Sequence, residues 1–318
     1  MSGDGRAQGK QRATVRPSPL RNDAPEVVDP VWLLKALGIC VVAAMLCGYA
    51  TLCLFFYLGD WQLILHPAHT VDQTPAQAGL DFSPIRFDAS ETGQPRLSAW
   101  WIPAPASGLR TRYAAYTVLY LHDGSGSLSD TIPTVARLHA AGLNVFAFDY
   151  RGFGTSDSSS HPSADSMAQD TAAAFQYLIG TRHIAVSNIL PYGVGLGASL
   201  AATLAQAHPE LPAVILDNPH PDPASTVAVQ SHSRIVPVRL LFGKQFDIAT
   251  PIASLRTPKL LIAGGPNFAR PTRDTVSLHK LFQQAAAPRF SVTLPPGNAD
   301  LDFQAALARF LDQYLAAR

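Results

Sequence analysis

The sequence predicts an α/β domain, built on a mostly parallel sheet with helices on both faces and preceded by one transmembrane helix. Three observations predict it. Short β-rich apolar runs alternate with helical patterns along the body of the chain. The inner runs are continuously apolar rather than alternating, as in a parallel sheet covered on both sides. And one long charge-free segment stands ahead of that body, from Ala36 to Gly59.

The charge-free segment reads ALGICVVAAMLCGYATLCLFFYLG, 24 residues. At helical rise it extends roughly 36 Å, enough to cross a bilayer core. Arg6, Lys10, Arg12, Arg16, Arg21 and Lys35 precede it, and no Lys or Arg follows until Arg86. The positive-inside rule then places the N-terminus in the cytoplasm and the body outside the cell membrane, in the periplasm if the source is bacterial. Residues 1–30 are polar and rich in Pro, Gly and Arg, which reads as a disordered tail. The expected organisation is therefore a tail (1–30), a transmembrane helix (31–60) and one α/β domain (61–318). Residues 36–59 make the membrane contact, with Trp61, His66 and His69 just beyond at the interface.

Composition closes several classes of function. The net charge of +1 gives no basic field for nucleic acid. The three cysteines, Cys40, Cys47 and Cys53, all lie in the apolar segment, so the body has no disulfide framework and no thiolate chemistry. His66 and His69 stand three apart without further ligands nearby, so no metal site is expected. No cofactor is expected either.

Strands are expected at Leu97–Ile102, Thr117–His122, Asn144–Asp149, Ile189–Tyr192, Ala213–Asp217, Lys259–Ala263 and Phe290–Leu294. Helices are expected at Ile132–Ala141, Asp165–Ile179, Leu196–Ala207, Asp274–Gln284 and Phe303–Ala317. Trp100 and Trp101 should straddle an outer strand, one to each face.

The most informative junction is Gly193-Val194-Gly195-Leu196-Gly197, which follows one apolar run and opens a small-residue helix. That is the strand–turn–helix context of the G-x-S-x-G nucleophile elbow, with glycine at its centre. With LSAWWIPAP at 97–105, TVLYLHDGSGS at 117–127, GLNVFAFDYRGFGTSD at 142–157 and LLIAGGPNFARP at 260–271, the chain resembles the α/β-hydrolase family. The likeness is greatest to its serine hydrolases tethered by one N-terminal membrane helix, and it runs from about Trp61 to the C-terminus.

The resemblance implies a Ser–acid–His triad in that chain order, and each position departs from it. Gly195 stands for the serine. Asn267 stands for the acid, in Gly264-Gly265-Pro266-Asn267. Asp300 stands for the histidine, and no histidine occurs in the 39 residues from Lys280 to Arg318. The resemblance also implies an oxyanion site at His122, Asp123, Gly124 and the N–H of Leu196, where the following helix points its free N–H groups.

The leading expectation is a pseudohydrolase that binds a small acyl or anionic ligand, or a protein partner. The alternative is an active esterase, thioesterase or peptidase with a relocated nucleophile. Ser199, Ser125 or Ser127 would then serve, with His122, His161 or His220 as base. Asp217 could be a substitute acid, and Asp300 or Asp302 a carboxylate base. A further alternative is dinucleotide binding, because Gly193-x-Gly195-x-x-Ala198 follows a strand, opens a helix and has Asp217 at the end of the next strand.

Overall fold

The structure is a computed structural model, described here for residues 29–88, 95–106, 111–157, 161–229, 236–264, 273–295 and 299–315. The chain divides into two compact units, one ending at Thr51 and the other beginning at Leu52. Among the described residues one helix, α1 (Pro30–Gly59), has no buried residue and is long and apolar enough to cross a membrane.

Eight strands form one sheet: β1 (Ser83–Asp88), β2 (Pro95–Ile102), β3 (Thr117–Leu121), β4 (Asn144–Phe148), β5 (Ile189–Val194), β6 (Val214–Asp217), β7 (Lys259–Gly264) and β8 (Arg289–Leu294). Their spatial order is β8-β7-β6-β5-β3-β4-β2-β1. β2 runs antiparallel to both its neighbours, and every other pair is parallel. The chain reverses its direction of travel across the sheet around β3 and β5, so the loops leaving those strands open a crevice at their carboxyl ends.

Packing follows from the pleat, which sends alternate side chains to opposite faces. Val118 and Tyr120 of β3 enter one core with Val135 and Leu138 of α2 (Leu128–Ala140) and with Leu307 and Phe310 of the last helix. Leu119 and Leu121 enter the other, with Met167 and Phe175 of α3 (Ala164–Gln176) and Ala201 of α4 (Gly197–Ala207). All five residues of β3 and all six of β7 are buried, so continuously apolar runs were the right signal for these central strands.

Every strand expected from the sequence is present, with ends shifted by at most two residues. In this sheet the strand not foreseen is β1. It is an edge strand, pairs only with β2, and alternates exposed Ser83, Pro84 and Arg86 with half-buried Ile85 and buried Phe87, so no apolar run marks it. Trp100 is buried, whereas Trp101 is half exposed under the Arg182 guanidinium, 4.1 Å from its ring. α2 begins four residues before expectation. Ser127 caps it, its side chain accepting from Ser129 N–H, and Asp130 Oδ2 accepts the Ser127 N–H in return (2.9 Å). α3 gives way after Gln176 to a wider turn over Tyr177–Thr181. The last two helices are α5 (Arg273–Gln284) and α6 (Ala299–Tyr314). α6 starts before Phe303, with Asp300 and Asp302 in its first turn, where carboxylates suit the helix dipole.

Ser127→Ala removes a buried helix cap and should cost about 1 kcal/mol of stability. Equilibrium denaturation of the full chain in detergent, against the unsubstituted chain, checks this.

Candidate functional site

Gly195 has φ +57°, the left-handed turn conformation that a nucleophile elbow requires and glycine accepts without a Cβ penalty. The elbow fits tightly around small residues. A Cβ on Gly197 would overlap the Leu121 carbonyl oxygen and lie 2.6 Å from that of His122, so α4 packs hard against the end of β3. The strand–turn–helix geometry therefore persists without the serine.

The space above Gly195 is taken by Asp123, from the loop after β3. A Cβ placed on Gly195 would overlap the Asp123 carboxyl group and lie 2.6 Å from its Oδ2. Asp123 Oδ1 accepts the Leu196 N–H at 2.8 Å and the Gly124 N–H at 2.7 Å. These are the two donors that the resemblance assigned to an oxyanion, and a side chain of the same chain already occupies them. His220, in the loop after β6, places Nε2 3.7 Å from Asp123 Oδ1. Burial works to raise the Asp123 pKa. The His220 imidazole and the two backbone N–H groups outweigh it and hold the carboxyl below the ordinary aspartate value.

Asp123, Gly124 and Leu196 thus come together as foreseen, but His122 does not. Its side chain is 3% exposed and turned into the core, against the rings of Tyr150 and Phe153. Nδ1 lies 2.7 Å from the Asp123 carbonyl oxygen, and Nε2 lies 3.6 Å from Asp149 Oδ1. Burial lowers the His122 pKa to about 4 and raises that of Asp149 to about 7, so both groups favour their neutral forms beneath the elbow. His122 is a packing residue of the elbow's floor.

The other substitutes are dispersed. Ser199 lies one turn into α4, buried, with Oγ donating to the Leu196 carbonyl at 2.7 Å. Ser127 is the α2 cap. His161 stacks on Trp61, ring centroids 4.8 Å apart. Asp300 is exposed on α6 and pairs with Arg137 at 3.3 Å, and Asp302 is exposed on the same helix. Neither fills the place of the missing histidine. Asn267 lies outside the described residues.

Asp217 is buried, accepting the Tyr192 hydroxyl at 2.5 Å and the Asn218 amide at 2.9 Å. With Asp123 Oδ1 accepting the Leu196 and Gly124 N–H groups over the turn at Gly195, a dinucleotide phosphate at Gly193–Ala198 would meet a carboxylate instead of free donors. Among the described residues, no three His, Cys, Asp or Glu side chains converge as a metal site.

A cavity of about 250 Å³ opens beside Asp123. Ser125 lines it, as do His66 and His220. Residues 66–68 are pinned there by a short parallel pairing, with His66 N–H donating to Gly124 O (2.7 Å) and Ala68 N–H to Gly126 O (2.9 Å). The sequence offered His220 only as a possible base and put His66 at the membrane interface; the fold brings both, with Leu63 and Ile64, to the cavity beside the elbow.

Comparison with known proteins agrees with this fold. A sequence profile described as serine aminopeptidase, S33, matches residues 114–286. An uncharacterized protein of Mycobacterium tuberculosis is 32% identical over 200 residues, 63% of this chain and 66% of that protein, so the chain spans just under two thirds of its length. The Escherichia coli protein YfhR is 27% identical over 206 residues, covering 64% of this chain and 69% of YfhR. Among solved structures, an esterase of Pyrococcus furiosus superposes with a TM-score of 0.60 at 17% identity, over 79% of this chain and 98% of the esterase. A probable hydrolytic enzyme of Pseudomonas aeruginosa gives 0.52 at 17% identity, over 79% and 99%. Both structures share the α/β-hydrolase fold.

Two outcomes are expected. Gly195→Ser alone should destabilise the domain, because its Cβ meets the Asp123 carboxyl at a left-handed φ. Adding Asp123→Ala should recover about 1–3 kcal/mol of that loss in a double-mutant cycle. Asp149 holds its proton in the folded state to about pH 7 and releases it near ~3.9 when unfolded, so it subtracts stability as pH rises between those values. Asp149→Asn should therefore gain stability relative to the unsubstituted chain from pH 4 to pH 7, read from denaturation midpoints across that range.

Proposed function

Because the chain belongs to the serine aminopeptidase S33 family of α/β-hydrolases, we propose that it is a membrane-anchored pseudohydrolase, which keeps the family's site as a binding site and has given up serine chemistry. One observation carries this reading: the Asp123 carboxyl group takes the volume of the nucleophile and the hydrogen bonds of the oxyanion hole together. Oxyanion stabilisation depends on donors that are free to meet charge as it develops on the substrate. Donors already closed on an internal carboxylate cannot supply it, and Gly195 has no hydroxyl to attack with.

α1 serves as the anchor in this reading. The charge-free run and the cluster of Lys and Arg ahead of it support a single crossing, with residues 61–318 on the outer side. A second reading, an active hydrolase with a displaced nucleophile, is favoured by one fact: Ser125 lines the same cavity as His66 and His220. It ranks below the first because Asp123 holds both donors that an acyl intermediate would need.

The full chain in nanodiscs, treated with a fluorophosphonate probe and with p-nitrophenyl acyl esters, should give no covalent adduct. Its turnover should not exceed that of Ser125→Ala and Ser199→Ala controls. A stoichiometric adduct mapped to Ser125, Ser127 or Ser199 would establish the second reading instead. In right-side-out vesicles, added protease should digest residues beyond 61 and leave the N-terminal tail protected.

A further inference from the structure

Resting on the reading that this site performs no serine chemistry, we propose that it binds a small organic cation, a primary ammonium on a short apolar chain, ion-paired to Asp123. The sign of the site is the starting point. In a serine hydrolase the two converging N–H groups present a partial positive charge to the substrate's oxygen. Here the Leu196 and Gly124 N–H groups are both satisfied by Asp123 Oδ1. The carboxylate stays ionised with His220 Nε2 3.7 Å from Oδ1, and Oδ2 takes neither of the two backbone bonds. An acyl or anionic ligand, the class the sequence suggested, would meet that charge with both N–H groups closed to it. A cation meets an acceptor.

The cavity's other surfaces fit the same ligand. Among the described residues Asp123 is its one carboxylate, neither Lys nor Arg lines it, and the His220 imidazole stands at its edge. Leu63, Ile64, Leu196 and Pro223 supply an apolar wall, and Ser125 and His66 supply polar atoms beside it. An ammonium has three donors and no acceptor, so a carboxylate oxygen with a hydroxyl nearby answers it where a second cation would not. A volume of about 250 Å³ lies below the ~300–1,000 Å³ typical of drug-sized sites, which limits the ligand to a few carbons.

The acceptor is also held in place before the ligand arrives. Two backbone hydrogen bonds and the elbow beneath it fix the Asp123 carboxyl, so pairing requires no reordering of that side chain. The cation's charge is met at the site, and its alkyl chain lies against the apolar wall.

Ligand-observed NMR titration of the full chain in nanodiscs tests this, with n-butylammonium, n-butanol and butyrate as probes and empty nanodiscs as the partition blank. Butylammonium should bind in the millimolar range or tighter, and at least tenfold more tightly than butyrate. Asp123→Asn keeps an oxygen for the two N–H groups but removes the charge. It should weaken butylammonium at least tenfold while leaving butanol unchanged. A smaller difference in either comparison, or no butylammonium binding in the millimolar range, overturns the inference. The comparison among the three probes needs only the unsubstituted chain, so the test stands if the variant does not fold. Fluorophosphonate labelling of the same samples separates the two claims. An adduct overturns the pseudohydrolase reading itself, whereas a missing ammonium preference without an adduct overturns only the ligand class.

Discussion

Two backbone N–H groups, from Gly124 and Leu196, point at one spot at the carboxyl end of the central strands, and convergent donors with restricted access to water must hold an acceptor. In this chain the acceptor is internal. The Asp123 carboxylate closes both bonds, and it can do so only because residue 195 has no side chain. The two positions are complementary: a Cβ at 195 and a carboxyl at 123 cannot share the same space. The charge of the cavity follows from that exchange.

The floor beneath the elbow is organised by a different rule. Burial disfavours charge on both His122 and Asp149 and shifts each toward its neutral form. The Tyr150 hydroxyl donates to the His122 carbonyl at 3.2 Å, and Asp149 Oδ1 accepts the first N–H of α2, that of Leu128, at 2.9 Å. These contacts hold the loop after β3, and with it Asp123, at a fixed height above Gly195. Packing beneath the elbow therefore sets the position of the carboxylate that faces the cavity.

The sheet was largely legible in the sequence because its central strands are buried on both faces and must be apolar throughout. β1 was not, because an edge strand buries only Phe87 fully and can carry Pro84 and Arg86 elsewhere. The elbow was legible from Gly193, Gly195 and Gly197, whose spacing reports a local backbone conformation. What fills the elbow was not legible. Asp123 and Gly195 are distant in sequence and meet only because β3 and β5 pair in register, with Leu121 opposite Gly193. His220 reaches the same spot through the loop after β6, for which no local pattern exists. His122 misled for the opposite reason: it stands beside Asp123 in sequence, but it points the other way.

The pinning of residues 66–68 onto the Asp123 loop has a consequence for where the cavity can be. Only six residues, seven Cα–Cα steps, separate Gly59, the end of α1, from His66, which lines the cavity. Even a fully extended chain covers no more than about 25 Å in that distance. Were α1 inserted in a bilayer as proposed, the cavity would stay within that leash of the helix end, in the thin layer of solution at the membrane face where an anionic surface raises the local concentration of cations.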